Sequence, residues 1–439
     1  MDLGLSEEQE LLKNSAREFL EKECPEEHVR AMEEDEKGYS PALWKKMADL
    51  GWQGLMVPEA HGGAGFSFLD LCVLVEEFGR ALVPGPFIPN AVSAATLIVA
   101  GTDAQKSKYL PGIADGSAIH TYAITEPSGR WDREGIEMKA TASGSDFVLN
   151  GTKLFVPDAH IADYLQVVAW KPDGRLSTFI VPRDQPGISI TVLKTIASDK
   201  QAEVVFKDVK VAADDVIDMD DAQANTLRNM ATCLECAYLV GLAQRDFEIS
   251  VNYAKERVQF GRPIGSFQAI QHKAADMVTD VDGMRFIMYK AAWATSEGEE
   301  SATMDTAMAK AWCSDASRRV VAHGQQIHGG IGFTKDYIIQ LFFRRQKRAE
   351  LFWGDGDASP RCSKSRLPYR SAIKGATPVA PFSSLKDFSE WRERTRDRRM
   401  PRRREHTREG TKFEVTKVRT VGNRTPGPRG RVRCSLRWR

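Results

Sequence analysis

Long hydrophobic runs are missing from this 439-residue chain. A membrane helix needs about 20 consecutive apolar residues. The best candidate, Phe87–Ala100, is interrupted by Pro89 and Asn90. The opening MDLGLSEEQE is acidic and lacks the basic and apolar regions of a secretion signal. The expectation is a cytoplasmic protein with no membrane part. Cysteine is sparse: seven residues, an odd number scattered along the chain, do not suggest a disulfide framework. Cys233 and Cys236 form a C-x-x-C, but no second half-site or thioredoxin-like context accompanies them. Set within MATCLECAYLVGL, they read as buried helix residues. No strand precedes the Gly-rich EAHGGAGF at 59–66, and it is not G-x-G-x-x-G, so it reads as a turn.

Net charge is nearly absent too, at +1, but that figure hides a split. Residues 1–359 hold 37 Lys+Arg against 53 Asp+Glu, a net of −16. Residues 360–439 hold 24 against 7, a net of +17. An acidic globular body is followed by a segment of another kind.

Within the body the texture changes twice. Residues 1–118 read as helices joined by short loops. Ser40-Pro41 before ALWKKMADL supplies an N-cap and a first-turn proline. DLCVLVEEFGRAL is apolar enough for deep burial. From about 119 come six short runs rich in Val, Ile, Phe and Thr, with Asn150-Gly151 as a hairpin signal and Pro172-Asp173-Gly174 as a turn. Strands without intervening helices imply an antiparallel sandwich or barrel. From about 222 four long helical patterns with short connections imply a bundle. The reading is an α+β multidomain chain. It comprises an N-terminal α-helical domain at 1–118, a central β domain at 119–220, a four-helix bundle at 221–358 and a basic Arg/Pro-rich tail at 359–439. Few apolar and many Arg residues leave the tail two readings, a disordered segment (including one from a reading-frame change) or a nucleic-acid-binding arm.

The stretch NYAKERVQFGRPIGSFQAIQHKAADM, 252–277, reads as helix, tight turn, helix, because Gly261, Pro263 and Gly265 break the pattern. Arg257 and Gln259 stand before the turn and Gln268 and His272 after it. A guanidinium, amides and a helix N-terminus suit a phosphate, and a solvated helical hairpin is the plain alternative. This stretch resembles the signature of the acyl-CoA dehydrogenase family, flavoenzymes that desaturate acyl-CoA thioesters. The resemblance covers 1–357, nearer to bacterial members acting on bulky or sterol-type acyl groups. It implies FAD as cofactor, with Arg257 on the pyrophosphate of a neighbouring subunit's FAD and Phe260 and Gln268 lining it. YAITEP, Tyr122–Pro127, is similar to the flavin-side strand, which brings Tyr122, Ile124 and Thr125 to the ring. Gln326, Gly329 and Gly330 match the family's Q-x-x-GG-x-G turn at the adenine side. The resemblance further implies an acyl-CoA substrate, an electron-transferring flavoprotein as acceptor, and a homo-oligomer or a hetero-oligomer with a paralogous subunit.

Three departures matter. The small residues that follow T-E-P in the family are replaced by a run ending in Arg130-Trp131. The family's Trp-Ile-Thr or Trp-Ile-Ser triplet over the flavin is here Phe155-Val156-Pro157. Phe155 can still cover a ring, but Pro157 brings no hydroxyl. The position of the usual catalytic Glu is Trp353, and an indole cannot accept a proton. Asp355 and Asp357 lie within a turn of that position, and Asp357 reads as solvated; Asp355 and Glu235, a carboxylate among apolar neighbours on the first bundle helix, are then the candidate bases. A dehydrogenase, a half-site subunit completing a paralogue's FAD pocket, and a nucleic-acid-binding protein acting through its tail are the competing functions.

Overall fold

The computed structural model describes residues 4–354. Six helices come first: α1 (Glu7–Glu23), α2 (Glu26–Glu34), α3 (Pro41–Asp49), α4 (Phe68–Ala81), α5 (Phe87–Ala100) and α6 (Asp103–Ala114). Ser40 caps α3 by accepting from the Leu43 N–H, and Pro41 takes the first turn, as its spacing predicts. The apolar α4 is buried over most of its length. Phe87–Ala100 is a helix of 14 residues, and no helix among the described residues is long and apolar enough to cross a membrane.

One eight-stranded sheet follows: β1 (His120–Ala123), β2 (Lys139–Ser143), β3 (Asp146–Pro157), β4 (Tyr164–Trp170), β5 (Leu176–Pro182), β6 (Ile188–Leu193), β7 (Gln201–Val211) and β8 (Val216–Asp218). The order is β6-β7-β3-β2-β4-β5-β8, with β1 on β4. All six expected strands form. The pairing is largely antiparallel, but β1 runs parallel to β4, from His120 beside Tyr164 to Ala123 beside Val167. The β2–β3 hairpin lies between them in sequence and returns the chain in the same direction, so the sheet is mixed.

Asn150-Gly151 makes no hairpin. It lies inside β3, at a register break against β7. The Asn150 amide is occupied across that break, donating to Asp208 Oδ1 at 3.1 Å and accepting from the Asp208 N–H at 2.9 Å. The reversal falls at Gly144-Ser145, between paired Ser143 and Asp146, with Gly144 at φ 69°. The Pro172-Asp173-Gly174 turn does join β4 to β5.

Four helices complete the described chain: α7 (Asp221–Glu256), α8 (Gln268–Ser296), α9 (Ala302–His328) and α10 (Ile339–Leu351). Asp220 opens α7 with a reciprocal capping box to Gln223. α7 also packs on α4 through a pair of glycines. A Cβ on Gly79 would collide with the Tyr238 carbonyl, and one on Gly241 with the Glu76 carbonyl. Cys233 and Cys236 are buried within α7, as their context suggested. The five described cysteines are free, and no cluster among the described residues could hold a metal ion. Asp355 and the Arg/Pro-rich tail lie outside the described residues.

Candidate active site

Three cavities meet where the sheet approaches α7 and the end of α10. The first, of 630 Å³, is floored by the sheet. Side chains alternate along a strand, so Tyr122 of β1, Gln166 and Val168 of β4 and Thr178 of β5 face it together. Val92 and Thr96 of α5 and Leu227 of α7 wall it, and Trp353 closes its inner end. The second, of 1090 Å³, is lined by Thr125, Phe155, Thr195, Gln201, Arg348 and Gly354, among others. The third is a 70 Å³ void beside Glu235, Asp158 and Tyr122.

Aromatic rings form the partitions. Trp131 lines both large cavities. Its ring lies 5.3 Å from Trp353 and 5.4 Å from Phe352, and Trp353 lies 5.2 Å from Tyr122. Arg348 borders the 70 and 1090 Å³ cavities.

Glu235 has a partner that its sequence context concealed. Arg348 of α10 donates to both carboxylate oxygens, at 3.2 Å each, and Glu235 is fully buried. Arg348 also stacks over the Tyr238 and Phe352 rings, at 5.2 and 5.0 Å. Glu235 opens on the 70 Å³ void and does not line the 630 Å³ cavity. Burial, reinforced by Asp199, pushes the Asp158 carboxyl up to about 7. Burial likewise holds the Tyr122 hydroxyl well above its ordinary value, so it stays protonated.

The 1090 Å³ cavity fits a flavin ring. The Thr125 hydroxyl is buried without a hydrogen-bond partner among the described residues, a cost relieved by a polar ligand edge. Phe155, at φ 54°, stands 43% exposed in the cavity, offering an open aromatic face. Tyr122 and Ile124 line the neighbouring 630 Å³ cavity. Pro157 turns toward the 70 Å³ void.

The other sequence-derived residues lie far away. Arg257 caps the end of α7, while Arg228, near its start, borders both large cavities. At 1.5 Å per residue Arg228 and Arg257 stand about 43 Å apart, and Glu235, whose partner Arg348 also lines the 1090 Å³ cavity, stands about 33 Å from Arg257. Beyond Arg257, Val258–Gln259 and Arg262–Pro263 pair as a short hairpin, turned by Phe260 and Gly261 at φ 55° and 79°. Arg257, Gln259 and Gln268 are exposed, and Phe260 is 92% exposed. The Arg257 guanidinium has no partner among the described residues. The exposed Gln326 and Gly330 and half-buried Gly329 share this end of the bundle. Tyr253, one turn before Arg257, stacks on His328 with centroids 4.4 Å apart. Sequence reasoning missed Arg348, hidden in the basic run RRQKR. It also passed over Trp131 as a partition and Lys153, a lone charge in the apolar strand KLFV.

Family models cover most of the chain: the acyl-CoA dehydrogenase N-terminal domain at 6–117, middle domain at 121–209 and C-terminal domain at 222–358. A probable acyl-CoA dehydrogenase of Bacillus subtilis is 35% identical over 376 residues, covering 81% of this chain and 96% of the relative. Among solved structures, a steroid ACAD variant is 32% identical with a TM-score of 0.76, covering 86% of this chain and all of that one. The ChsE4-ChsE5 complex of Mycobacterium tuberculosis is similar at 27% identity, with a TM-score of 0.77 over 86% of this chain and 100% of that one. With this coverage, and with a cavity that suits a flavin, the chain belongs to the acyl-CoA dehydrogenase family and is an FAD-dependent oxidoreductase acting on acyl-CoA.

Proposed function

We propose that each FAD site is shared between two chains. One supplies the ring cavity, with Thr125 and Phe155 facing the isoalloxazine and Tyr122 and Ile124 flanking it. The other supplies the phosphate and adenine end through Arg257, Gln259, Phe260, Gln268, Gln326, Gly329 and Gly330. The carrying observation is the separation of the two groups by most of the length of α7. The unpartnered, exposed guanidinium supports the same reading, since Arg grips a pyrophosphate well. Residues 1–118, 119–220, 221–358 and 359–439 are the working divisions of the chain.

The acyl-CoA thioester enters the 630 Å³ cavity, whose lining includes Arg133, Arg175 and Arg228 as cations for CoA phosphates, the first two now held by Asp221 and Asp173. Its volume and aromatic inner wall suit a bulky, sterol-type acyl group. FAD, when bound, accepts the β-hydride. The chain's own part is to orient the thioester, exclude water with Trp131 and Trp353, and hold a base at the α-carbon. Asp355 follows Gly354, which lines the flavin cavity, and is the candidate base on this chain. Glu235 remains the second candidate, weakened by its Arg348 ion pair. Electrons pass to an electron-transferring flavoprotein in the cytoplasm.

A second reading is favoured by Trp353 and Trp131. These rings fill the junction between the acyl and flavin cavities. In a hetero-oligomer this chain would complete the FAD site of a paralogue through the Arg257 end. One experiment tests both readings. The chain is purified alone and with a paralogous subunit, and acyl-CoAs are added without oxygen. Bleaching of a flavin bound by the chain alone supports self-sufficiency; bleaching only in the mixed assembly supports the half-site. No flavin uptake in either would refute the shared site.

A further inference from the structure

Lys153 is fully buried in β3. Its ammonium donates to Glu126 Oε1 at 2.6 Å and to the Ile124 carbonyl at 3.1 Å. Thr125 lies between those two acceptor residues. The Thr125 carbonyl in turn accepts from the N–H of Leu154, the residue after Lys153, at 2.8 Å. Phe155 comes next, in its left-handed conformation, at the register break of β3 against β7 between Lys153 and Val156. The Glu126 carboxylate reaches the other way, accepting from the Glu137 N–H at 2.8 Å and the Met138 N–H at 3.1 Å. Those N–H groups close the loop that carries Trp131.

One buried ion pair therefore holds three segments, and each delivers one side chain to the 1090 Å³ cavity: Thr125, Phe155 and Trp131. Lys153 and Glu126 are not themselves among its lining residues. The geometry points to Lys153 and Glu126 as a positioning pair for the flavin ring, fixing the residues that face it without touching it. This rests on the reading that the ring occupies that cavity. Burial pulls the Lys153 ammonium down to about 8, against which the Glu126 carboxylate works. A buried pair of this kind is costly to keep. An apolar residue would serve packing alone equally well, whereas an ion pair with four directed hydrogen bonds fixes backbone position.

The test compares two ion pairs, the buried Lys153–Glu126 pair and a half-buried one, in the complete assembly. Lys153→Met breaks the first. Lys13→Met breaks the pair with Glu76, 2.8 Å long and joining α1 to α4, which no cavity-lining residue of the flavin site shares. Flavin affinity and the visible spectrum of the bound flavin are measured, with melting temperature alongside. Lys153→Met is expected to weaken flavin binding about tenfold or more, a 1.4 kcal/mol effect, and to shift the flavin bands. Lys153→Arg should recover part of both. Lys13→Met should melt earlier with flavin affinity and spectrum unchanged. If Lys153→Met does not fold, Glu126→Gln is read by the same criteria, since it keeps the size and one acceptor oxygen. Wild-type affinity and spectrum in the variant, or a loss equalled by Lys13→Met, overturns the positioning role. A wild-type assembly that takes up no flavin overturns the cavity's reading instead, and the pair's role with it.

Discussion

Replacing Glu235 by Gln separates two jobs that a buried carboxylate near an active site can hold. The side chain is fully buried and both its oxygens face the Arg348 guanidinium at 3.2 Å. Removing the charge leaves Arg348 with Asp199, 3.9 Å away, as the remaining carboxylate. Breaking a buried pair by losing one partner costs about 3–5 kcal/mol. Gln keeps the size and one acceptor oxygen, so the lower end applies. For a chain of this length that means a fall in melting temperature of roughly 3–4 °C. Thermal unfolding reads the stability term, and anaerobic mixing with acyl-CoA in the assembled enzyme reads the rate of flavin reduction. If Glu235 is a structural ion-pair partner, melting falls and the rate changes only a few-fold. The Glu235→Gln, Arg348→Met double mutant should then cost less than the sum of the singles. A rate drop of about 100-fold with melting unchanged would refute this and make Glu235 the base, because general bases contribute at least that much.

Other outcomes follow from the same geometry. Arg257→Gln should lower flavin affinity about tenfold or more, in the range of a lost charge-assisted hydrogen bond, while the melting temperature of the flavin-free protein stays put; dialysis and absorbance check it. Trp353→Ala should enlarge the 630 Å³ acyl cavity that this ring lines and cost about 3–5 kcal/mol of stability, and calorimetry with a bulky acyl-CoA should show altered affinity. The Asp158 carboxyl titrates near 7 in the fold against an ordinary 3.8. The folded state thus holds a proton that the unfolded state gives up, and stability present at low pH is lost as pH rises through about 7. Asp158→Asn, whose side chain tolerates the φ of 50°, should therefore gain up to about 4 kcal/mol relative to wild type between pH 4 and 8. His120 has the opposite sign: burial pulls it down to about 3, so it opposes folding as pH falls below 6.5. His120→Phe should lose less stability than wild type between pH 7 and pH 4.

The helices and strands were largely legible, because their signals are local. Caps such as Ser40-Pro41 and period-two strands are written within a few residues. β2, KATAS, was not readable, since Ala and Ser carry little strand preference and only Ala140 is buried. Asn150-Gly151 misled for a related reason. A dipeptide that favours a turn also favours a bulge, and the partner strand, far off in sequence, decided between them. Arg257 and the Gln326 turn could be found because glycines and breaks mark them. That they stand far along α7 from Thr125 needs the packing that sets Thr125 around one cavity with Arg228 and Arg348. The Arg348–Glu235 pair bridges 113 positions of chain. Nothing local in RRQKR separates the inward arginine from its solvated neighbours.

The glycine seam between α4 and α7 has a consequence for any motion of the enzyme. With backbone resting on backbone at Gly79 and Gly241, the two helices meet there with no side chain between them to repack. Tyr238, whose carbonyl sits under Gly79, is also the ring on which Arg348 rests. A methyl group added at Gly79 would thus press, through one residue, on the charges behind the flavin chamber. Entry of ligands therefore leaves the α4–α7 seam in register.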